Sequence, residues 1–244
     1  MLTNTFMVVM LASLTACAVT TIGIVVISRY QSWAMAKSIY FKSFAAGVLI
    51  AVSFLHQVPK SVHMNEVAPA FLLVGFLAIY LSNRFLKLYA CQESECPRYV
   101  FGLMPMMGIG LHSLIDGVIH AVTFNVSVFT GVLAAVGMVL HEFPEGVVTF
   151  VFLKEGGFER RKAILLAFLA AALSTPVGAL VAYPFVSRVE KPILGNLLAL
   201  SAGALVYVGA SHLLPEVEKE SRRYTLVALV AGMAVAVAIV LTRH

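Results

Sequence analysis

Eight long apolar runs constrain the fold of this chain more than any other feature of its sequence. A transmembrane helix needs about 20 predominantly apolar residues, and every run approaches or exceeds that length. Because 60% of the 244 residues are hydrophobic and only 12% are charged, an ordinary soluble domain is excluded. We predict an all-α integral membrane protein with eight transmembrane helices, in which residues 1–244 form a single polytopic membrane domain. The predicted helices cover residues 5–28, 41–59, 67–88, 99–124, 127–153, 163–187, 192–214 and 223–242.

The basic residues are distributed unevenly between the connections, and this asymmetry predicts the orientation. Most of the 17 Lys and Arg residues flank the first, third, fifth and seventh connections. Because cytoplasmic loops are enriched in Lys and Arg, we expect these connections in the cytoplasm and both termini outside. The net charge of +5 then reports orientation in a cell membrane. We therefore expect the lipid bilayer as a partner, and no nucleic acid.

A short pattern occurs twice, in runs that would cross the membrane in opposite directions. An Ala-Gly pair followed by His56 and Pro59 in the second run recurs at the same spacing before His212 and Pro215 in the seventh. Antiparallel internal repeats of this kind are typical of transporters that bind their substrate near the middle of the membrane. The sequence therefore predicts inverted-repeat pairing of the helices.

Two histidine–carboxylate motifs lie in the middle of the fourth and fifth runs. His112 precedes Asp116 by four residues, and His141 precedes Glu145 by four residues. On a helix this spacing places both side chains on one face, about 6 Å apart along the axis. Glu142 adds a third acid to the pair of motifs.

The acids of these motifs have no basic partner nearby in the sequence, because residues 99–153 contain no Lys or Arg. An acid at the centre of a membrane costs about 2.5–3.5 kcal/mol, so it needs a partner. A bound cation is the simplest one. Imidazole and carboxylate ligands together suit Zn²⁺, Fe²⁺, Co²⁺ or Mn²⁺. The alternative is a buried polar network that braces the helices without a metal.

Further polar residues could mark a path for the cation. Ser113 follows His112 in the first motif as Glu142 follows His141 in the second. His120 lies one turn beyond the first motif. We expect His56 near the outer end of the second helix, and His212 with Glu216 near the inner end of the seventh. These residues could pass the cation to and from water. Alternatively, they are polar residues at helix ends or at the membrane interface.

The two central motifs resemble the signatures of the ZIP family (Zrt/Irt-like proteins) of divalent-metal transporters. In that family the fourth helix carries H-N-x-x-[DE]-G, and the fifth carries H-x-x-P-E-G in many members. Ser113 replaces the Asn of the first pattern. The residues that match are His112, Asp116, Gly117, His141, Pro144, Glu145 and Gly146.

The resemblance implies uptake of Zn²⁺ into the cytoplasm, with Fe²⁺, Mn²⁺, Co²⁺ and Cd²⁺ as other substrates. It implies a primary site formed by the His and the acid of each motif, to which Glu142 could add a ligand. Ser113 and Thr175 stand where some members have ligands for a second ion, which argues against a binuclear centre. A homodimer and a sliding motion of four helices against the other four are also known in the family.

Two other functions were compatible with parts of the pattern. His141-Glu142 resembles the start of the H-E-x-x-H motif of zinc hydrolases, in which the Glu is the base. The second His of that motif is Glu145 here, so we expect no enzyme activity. A proton-coupled carrier of an organic solute would need groups for an anion or an amine, and the apolar runs contain no central Arg for one.

Overall fold

The computed structural model describes residues 2–85, 96–219 and 223–241, and every regular element within these ranges is helical. This confirms the prediction of an all-α fold. We number the helices in chain order and treat a helix that continues through a π turn as one element. They are α1 (Leu2–Arg29), α2 (Gln31–Ala36), α3 (Ser38–Met64), α4 (Ala68–Phe85), α5 (Cys96–Val126), α6 (Val128–Glu155), α7 (Arg160–Val186), α8 (Lys191–Lys219) and α9 (Thr225–Leu241).

Six of the described helices are long and apolar enough to cross a membrane, namely α1, α3, α4, α5, α7 and α8. The fifth and eighth apolar runs form α6 and α9, and the apolar part of α9 is the shorter segment Thr225–Ala238. The predicted count of eight crossings and the outward orientation of both termini therefore stay predictions.

The second and seventh apolar runs each lie within a longer helix. The second was expected to cover residues 41–59 and the seventh residues 192–214, whereas the helices extend over Ser38–Met64 and Lys191–Lys219. Both helices continue beyond the proline that stands at or next to the end of the apolar run, Pro59 in α3 and Pro215 in α8.

A π turn before each proline explains this continuation. Pro lacks an N–H, and its ring clashes with the carbonyl of the preceding helical turn. In α3 the π turn Ser53–Gln57 comes just before Pro59, and in α8 the π turn Tyr207–Leu213 comes just before Pro215. The wider turn separates the ring from the carbonyl, so the helix continues with a local distortion.

The Ala-Gly pairs of the repeat are positions of close helix packing. A Cβ on Gly203 in α8 would fall well inside the contact distance of the Leu72 carbonyl oxygen in α4. A Cβ on Gly47 in α3 would collide in the same way with the carbonyl oxygen of Leu229 in α9. Small residues allow membrane helices to approach until their backbones touch. Both copies of the repeat thus join a neighbouring helix through a glycine.

We expect Gly203→Ala to lower the free energy of unfolding by about 1–3 kcal/mol, because the added methyl group forces α4 and α8 apart. Gly110→Ala is the comparison variant, because its Cβ would lie 3.3 Å from the Ala170 carbonyl oxygen, so that a shift of that neighbour by a few tenths of an ångström would accommodate it and we expect a smaller loss. Thermal unfolding of both purified variants in detergent measures the difference. Equal melting temperatures would contradict the proposed packing.

Candidate metal centre

The candidate ligands lie on two adjacent helices in the interior of the bundle. Helix α5 carries His112 and Asp116, and α6 carries Glu142 and Glu145. All four side chains are buried, with at most 7% of their surface exposed. The spacing of four residues predicted that each motif would use one helix face, and His112 and Asp116 of the first motif do contact each other on one face of α5.

Three of the predicted ligands converge on one point. The Nε2 atom of His112 lies 3.2 Å from Oε1 of Glu145 and 3.5 Å from Oδ2 of Asp116. One imidazole nitrogen from α5 therefore faces two carboxylates, one on its own helix and one on α6. This arrangement is the core of the candidate site.

His141 belongs to α6, but its side chain lies outside the described residues. Its role as a ligand therefore stays a prediction that rests on its helical spacing from Glu145. Among the described side chains, which leave out His141, no three His, Cys, Asp or Glu residues form a metal-binding group.

Glu142 is held by hydroxyl groups from two other helices. Thr20 in α1 donates a short hydrogen bond to Oε2 of Glu142, and Thr175 in α7 donates one to Oε1 over 2.8 Å. Glu142 also lies close enough to His112 for an electrostatic interaction. The carboxylate therefore belongs to the same polar region, but both of its oxygens accept hydrogen bonds from threonine. The zinc-hydrolase alternative would need this carboxylate as a base.

The glycines of the two motifs bring these threonines into place. A Cβ on Gly117 would collide with the Thr175 carbonyl oxygen, and a Cβ on Gly146 would lie 2.6 Å from the Thr20 carbonyl oxygen. The backbones of α7 and α1 therefore pass directly over the two motif glycines. The motifs thus supply both the acids and the small residues that let hydrogen-bond donors approach Glu142.

Ser113 lies beside the cluster but bonds mainly to its own helix. Its Oγ donates a hydrogen bond of 3.0 Å to the Ile109 carbonyl oxygen and lies 3.4 Å from Oε2 of Glu145. A serine that bonds back to the preceding turn is common in membrane helices. Its proximity to Glu145 leaves Ser113 at the edge of the candidate site.

The second nitrogen of His112 contacts two residues that the sequence did not single out. Its Nδ1 atom lies 3.0 Å from Nε2 of Gln57 in α3 and 3.0 Å from Oγ of Ser201 in α8. Gln57 directly follows His56 of the repeat, and this neighbour was the one sequence feature that could have drawn attention to it. Ser201 had no signal, because a serine in an apolar helix is common.

His120 and His56, which were predicted to mark a path for the cation, both lie in described helices, His120 in α5 and His56 in α3. His120 is fully buried, and its Nδ1 lies 3.0 Å from Oγ of Ser13 in α1. It therefore does not lie at a water-exposed interface. His56 is partly buried in the π turn of α3. Their roles along a cation path stay predictions.

His212 and Glu216 lie in and just after the π turn of α8, and each has a described contact. The ring of His212 stacks on Phe101 at a centroid distance of 4.9 Å, and its Nε2 lies 3.2 Å from the Phe101 carbonyl oxygen. Glu216 forms an ion pair of 2.6 Å with Lys219. Neither contact involves the central cluster.

The fold and the cluster together define a class of protein. Apolar helices that enclose a histidine between carboxylates, with no Lys or Arg in residues 99–153, define a polytopic membrane protein with a candidate cation site. The family model described as ZIP zinc transporter matches residues 90–240. This chain belongs to the ZIP family, whose members are transporters and not enzymes.

Individual relatives support the family assignment over different parts of the chain. The chain is 31% identical to zinc transporter ZupT of Nitratidesulfovibrio vulgaris, over 79% of this chain and 81% of the relative. It is 29% identical to zinc transporter ZupT of Clostridium perfringens, over 43% of this chain and 48% of the relative. Zinc transporter ZIP13 of Pongo abelii is 25% identical over 80% of this chain and 64% of the relative. The chain thus matches about half of the Clostridium protein and most of the Nitratidesulfovibrio protein.

We expect Thr20→Val to lower the free energy of unfolding by about 1.5–3 kcal/mol, because a buried carboxylate loses a hydrogen-bond donor. Thr15→Val is the matched control on the same helix, since Thr15 is exposed and donates to the Leu11 carbonyl oxygen. Chemical unfolding in detergent compares the two variants. If they lose the same stability, Thr20 does not support Glu142.

Proposed function

We propose that this protein transports divalent transition-metal cations across the cell membrane, with Zn²⁺ as the main substrate and the cytoplasm as its destination. The observation that carries the proposal is the approach of His112 to the carboxylates of Asp116 and Glu145 inside an apolar bundle. His141, which lies one turn before Glu145 in α6, completes the proposed ligand set.

The separations of the described atoms support a small divalent cation. Zn²⁺ binds imidazole nitrogen at about 2.0–2.1 Å and carboxylate oxygen at about 2.0–2.2 Å in a tetrahedral shell. In such a tetrahedral shell, two ligand atoms bound to the same ion lie about 3.3–3.5 Å from each other. The distances of 3.2 Å and 3.5 Å between His112 and the two carboxylates are close to this value. Two of the separations that the proposed site needs are therefore already close to those of a zinc shell.

The chemistry of the ligands also suits transport. Imidazole and carboxylate bind borderline ions such as Zn²⁺, Fe²⁺, Co²⁺ and Mn²⁺ without the tight hold of thiolates. Ser113 and Thr175 offer only weak hydroxyl ligands, and Thr175 already donates to Glu142. We therefore propose a site for one cation, in which Glu142 adds negative charge beside the ion. The names of the relatives, two ZupT zinc transporters and ZIP13, favour zinc.

Residues toward the two membrane faces would connect the site with water. We propose His56 on the outer side, and His212 with Glu216 on the inner side, as transient contacts for the cation. His120 would line the path one turn from the site. This assignment assumes the orientation in which both termini are outside, and the family resemblance adds a homodimer as the expected assembly.

We expect Asp116→Ala, His112→Ala and His141→Ala each to reduce Zn²⁺ flux into proteoliposomes by at least about tenfold, because each removes a ligand. His63→Ala is the matched control, since His63 is exposed at the end of α3 and should leave flux unchanged. Retained flux in the Asp116 and His141 variants would refute the proposed site.

We also expect Zn²⁺ affinity to fall steadily from about pH 7.5 to about pH 5, because protons compete with the cation for imidazole and carboxylate groups. Isothermal titration calorimetry of the purified protein measures the affinity at each pH. Binding that does not change over this range would contradict a site built from histidine and acids.

A further inference from the structure

The His112 ring is held from both sides by side chains of different helices. Its Nε2 atom faces the carboxylates of Asp116 and Glu145, at 3.5 Å and 3.2 Å. Its Nδ1 atom faces Gln57 and Ser201, each at 3.0 Å. The ring therefore has one edge toward the candidate cation and the opposite edge toward two neutral polar groups.

The two neutral groups come from helices that carry neither metal motif. Gln57 lies in the π turn of α3, and Ser201 lies in α8. Their side chains are deeply buried, with 3% and 0% of the surface exposed. A buried amide and a buried hydroxyl among apolar helices are unfavourable unless they bond to something. For both residues the contact with His112 is the described side-chain interaction that compensates for burial.

The chemistry of these groups matches what a metal-binding imidazole needs. When Nε2 of a neutral histidine offers its lone pair to a cation, the proton is on Nδ1, which then needs an acceptor. Oγ of Ser201 can accept this proton. When Nε2 instead donates its proton to Glu145, Nδ1 becomes the acceptor, and either the Ser201 hydroxyl or the Gln57 amide can donate to its lone pair. The pair can therefore hold the ring in both tautomers.

The Gln57 amide has a second group available for this purpose. Its Oε1 atom is buried and has no hydrogen-bond partner among the described residues. A rotation of the amide would exchange its nitrogen and oxygen and bring this acceptor to Nδ1 of His112. An unbonded oxygen next to a histidine is thus explained if the ring changes tautomer when a cation binds.

We propose that Gln57 and Ser201 are positioning residues that hold the His112 imidazole with its Nε2 atom directed at the cation. This inference rests on the proposed function, because it assigns a role to the partners of a proposed ligand. Neither residue touches the cation itself. They act by fixing the orientation of the His112 ring and by deciding which of its nitrogens carries the proton.

The position of these residues couples cation affinity to helix packing. His112 is on α5, whereas its positioning residues are on α3 and α8. If α5 shifts by more than about 1 Å relative to those helices, both hydrogen bonds lengthen beyond the normal range of donor–acceptor distances. The ring then loses its orientation and the site binds the cation more weakly.

The first experiment measures Zn²⁺ affinity of the full-length protein by isothermal titration calorimetry in detergent. We expect Gln57→Leu and Ser201→Ala each to weaken binding by about 10-fold, and the double variant by up to about 100-fold, as for other partners of metal-binding histidines. Ser201→Thr keeps the hydroxyl and should restore most of the affinity. The matched control is Ser53→Ala, because Ser53 is buried in the same π turn and donates to the Leu49 carbonyl oxygen.

A second set of variants separates positioning from a general loss of stability. In a His112→Ala background, we expect Gln57→Leu to change the remaining affinity by less than about twofold, because there is no ring left to position. Nitrogen NMR of labelled histidine provides a direct readout. The His112 signal should report a proton on Nδ1 in the Zn²⁺-bound protein, and a mixture of tautomers in the double variant.

Three results would overturn the proposal. They are unchanged affinity in the Gln57→Leu and Ser201→Ala variants, an equal loss in Ser53→Ala, and an undiminished effect of Gln57→Leu without His112. Failure of the proposed function itself would look different, because the unmodified protein would then bind no Zn²⁺. If Gln57→Leu does not fold, the two Ser201 variants still decide the question. Ser201→Ala removes only one oxygen atom, and Ser201→Thr keeps the hydroxyl.

Discussion

Carboxylates buried among apolar helices are the constraint on which the rest of this structure depends. Asp116, Glu142 and Glu145 lie where water cannot solvate them, and an isolated charge in such a medium is highly unfavourable. The protein surrounds them with hydroxyl groups and an imidazole. Helices distant in the sequence have to converge to supply these groups, and such close convergence requires glycine at the contact points. The motif glycines are therefore needed because of the buried acids, since they let the helices come close enough to supply hydrogen-bond partners.

The contact between His112 and Asp116 could be predicted from the sequence because its geometry is local. A spacing of four residues fixes His112 and Asp116 on one face of a helix regardless of how that helix packs. The partners Thr20, Gln57 and Ser201 could not be predicted in the same way. They come from other helices, and their arrival depends on the depth and rotation of each helix in the bundle. Apolar sequences specify these quantities weakly, because many registers bury similar surfaces.

The helix boundaries show a second limit of sequence reasoning. As a rule, proline ends or kinks a helix because its ring clashes with the preceding turn, and the second and seventh apolar runs end beside Pro59 and Pro215. In this fold the preceding turn widens, so the rule fails at both sites in the same way. The histidine in each widened turn is therefore part of a distorted helix, not of a helix end. The all-helical architecture, by contrast, followed from the length of the apolar runs alone.

The hydrogen bonds that Thr20 and Thr175 donate to Glu142 have a consequence for how quickly an ion could leave. An ionised Glu142 attracts a cation through space, yet its oxygens are already occupied by partners that stay attached to the protein. In the proposed site it would contribute a steady local field without forming a bond that must break before release. Affinity and exchange rate can then be adjusted separately, the first by a fixed charge and the second by the few ligands that actually contact the ion.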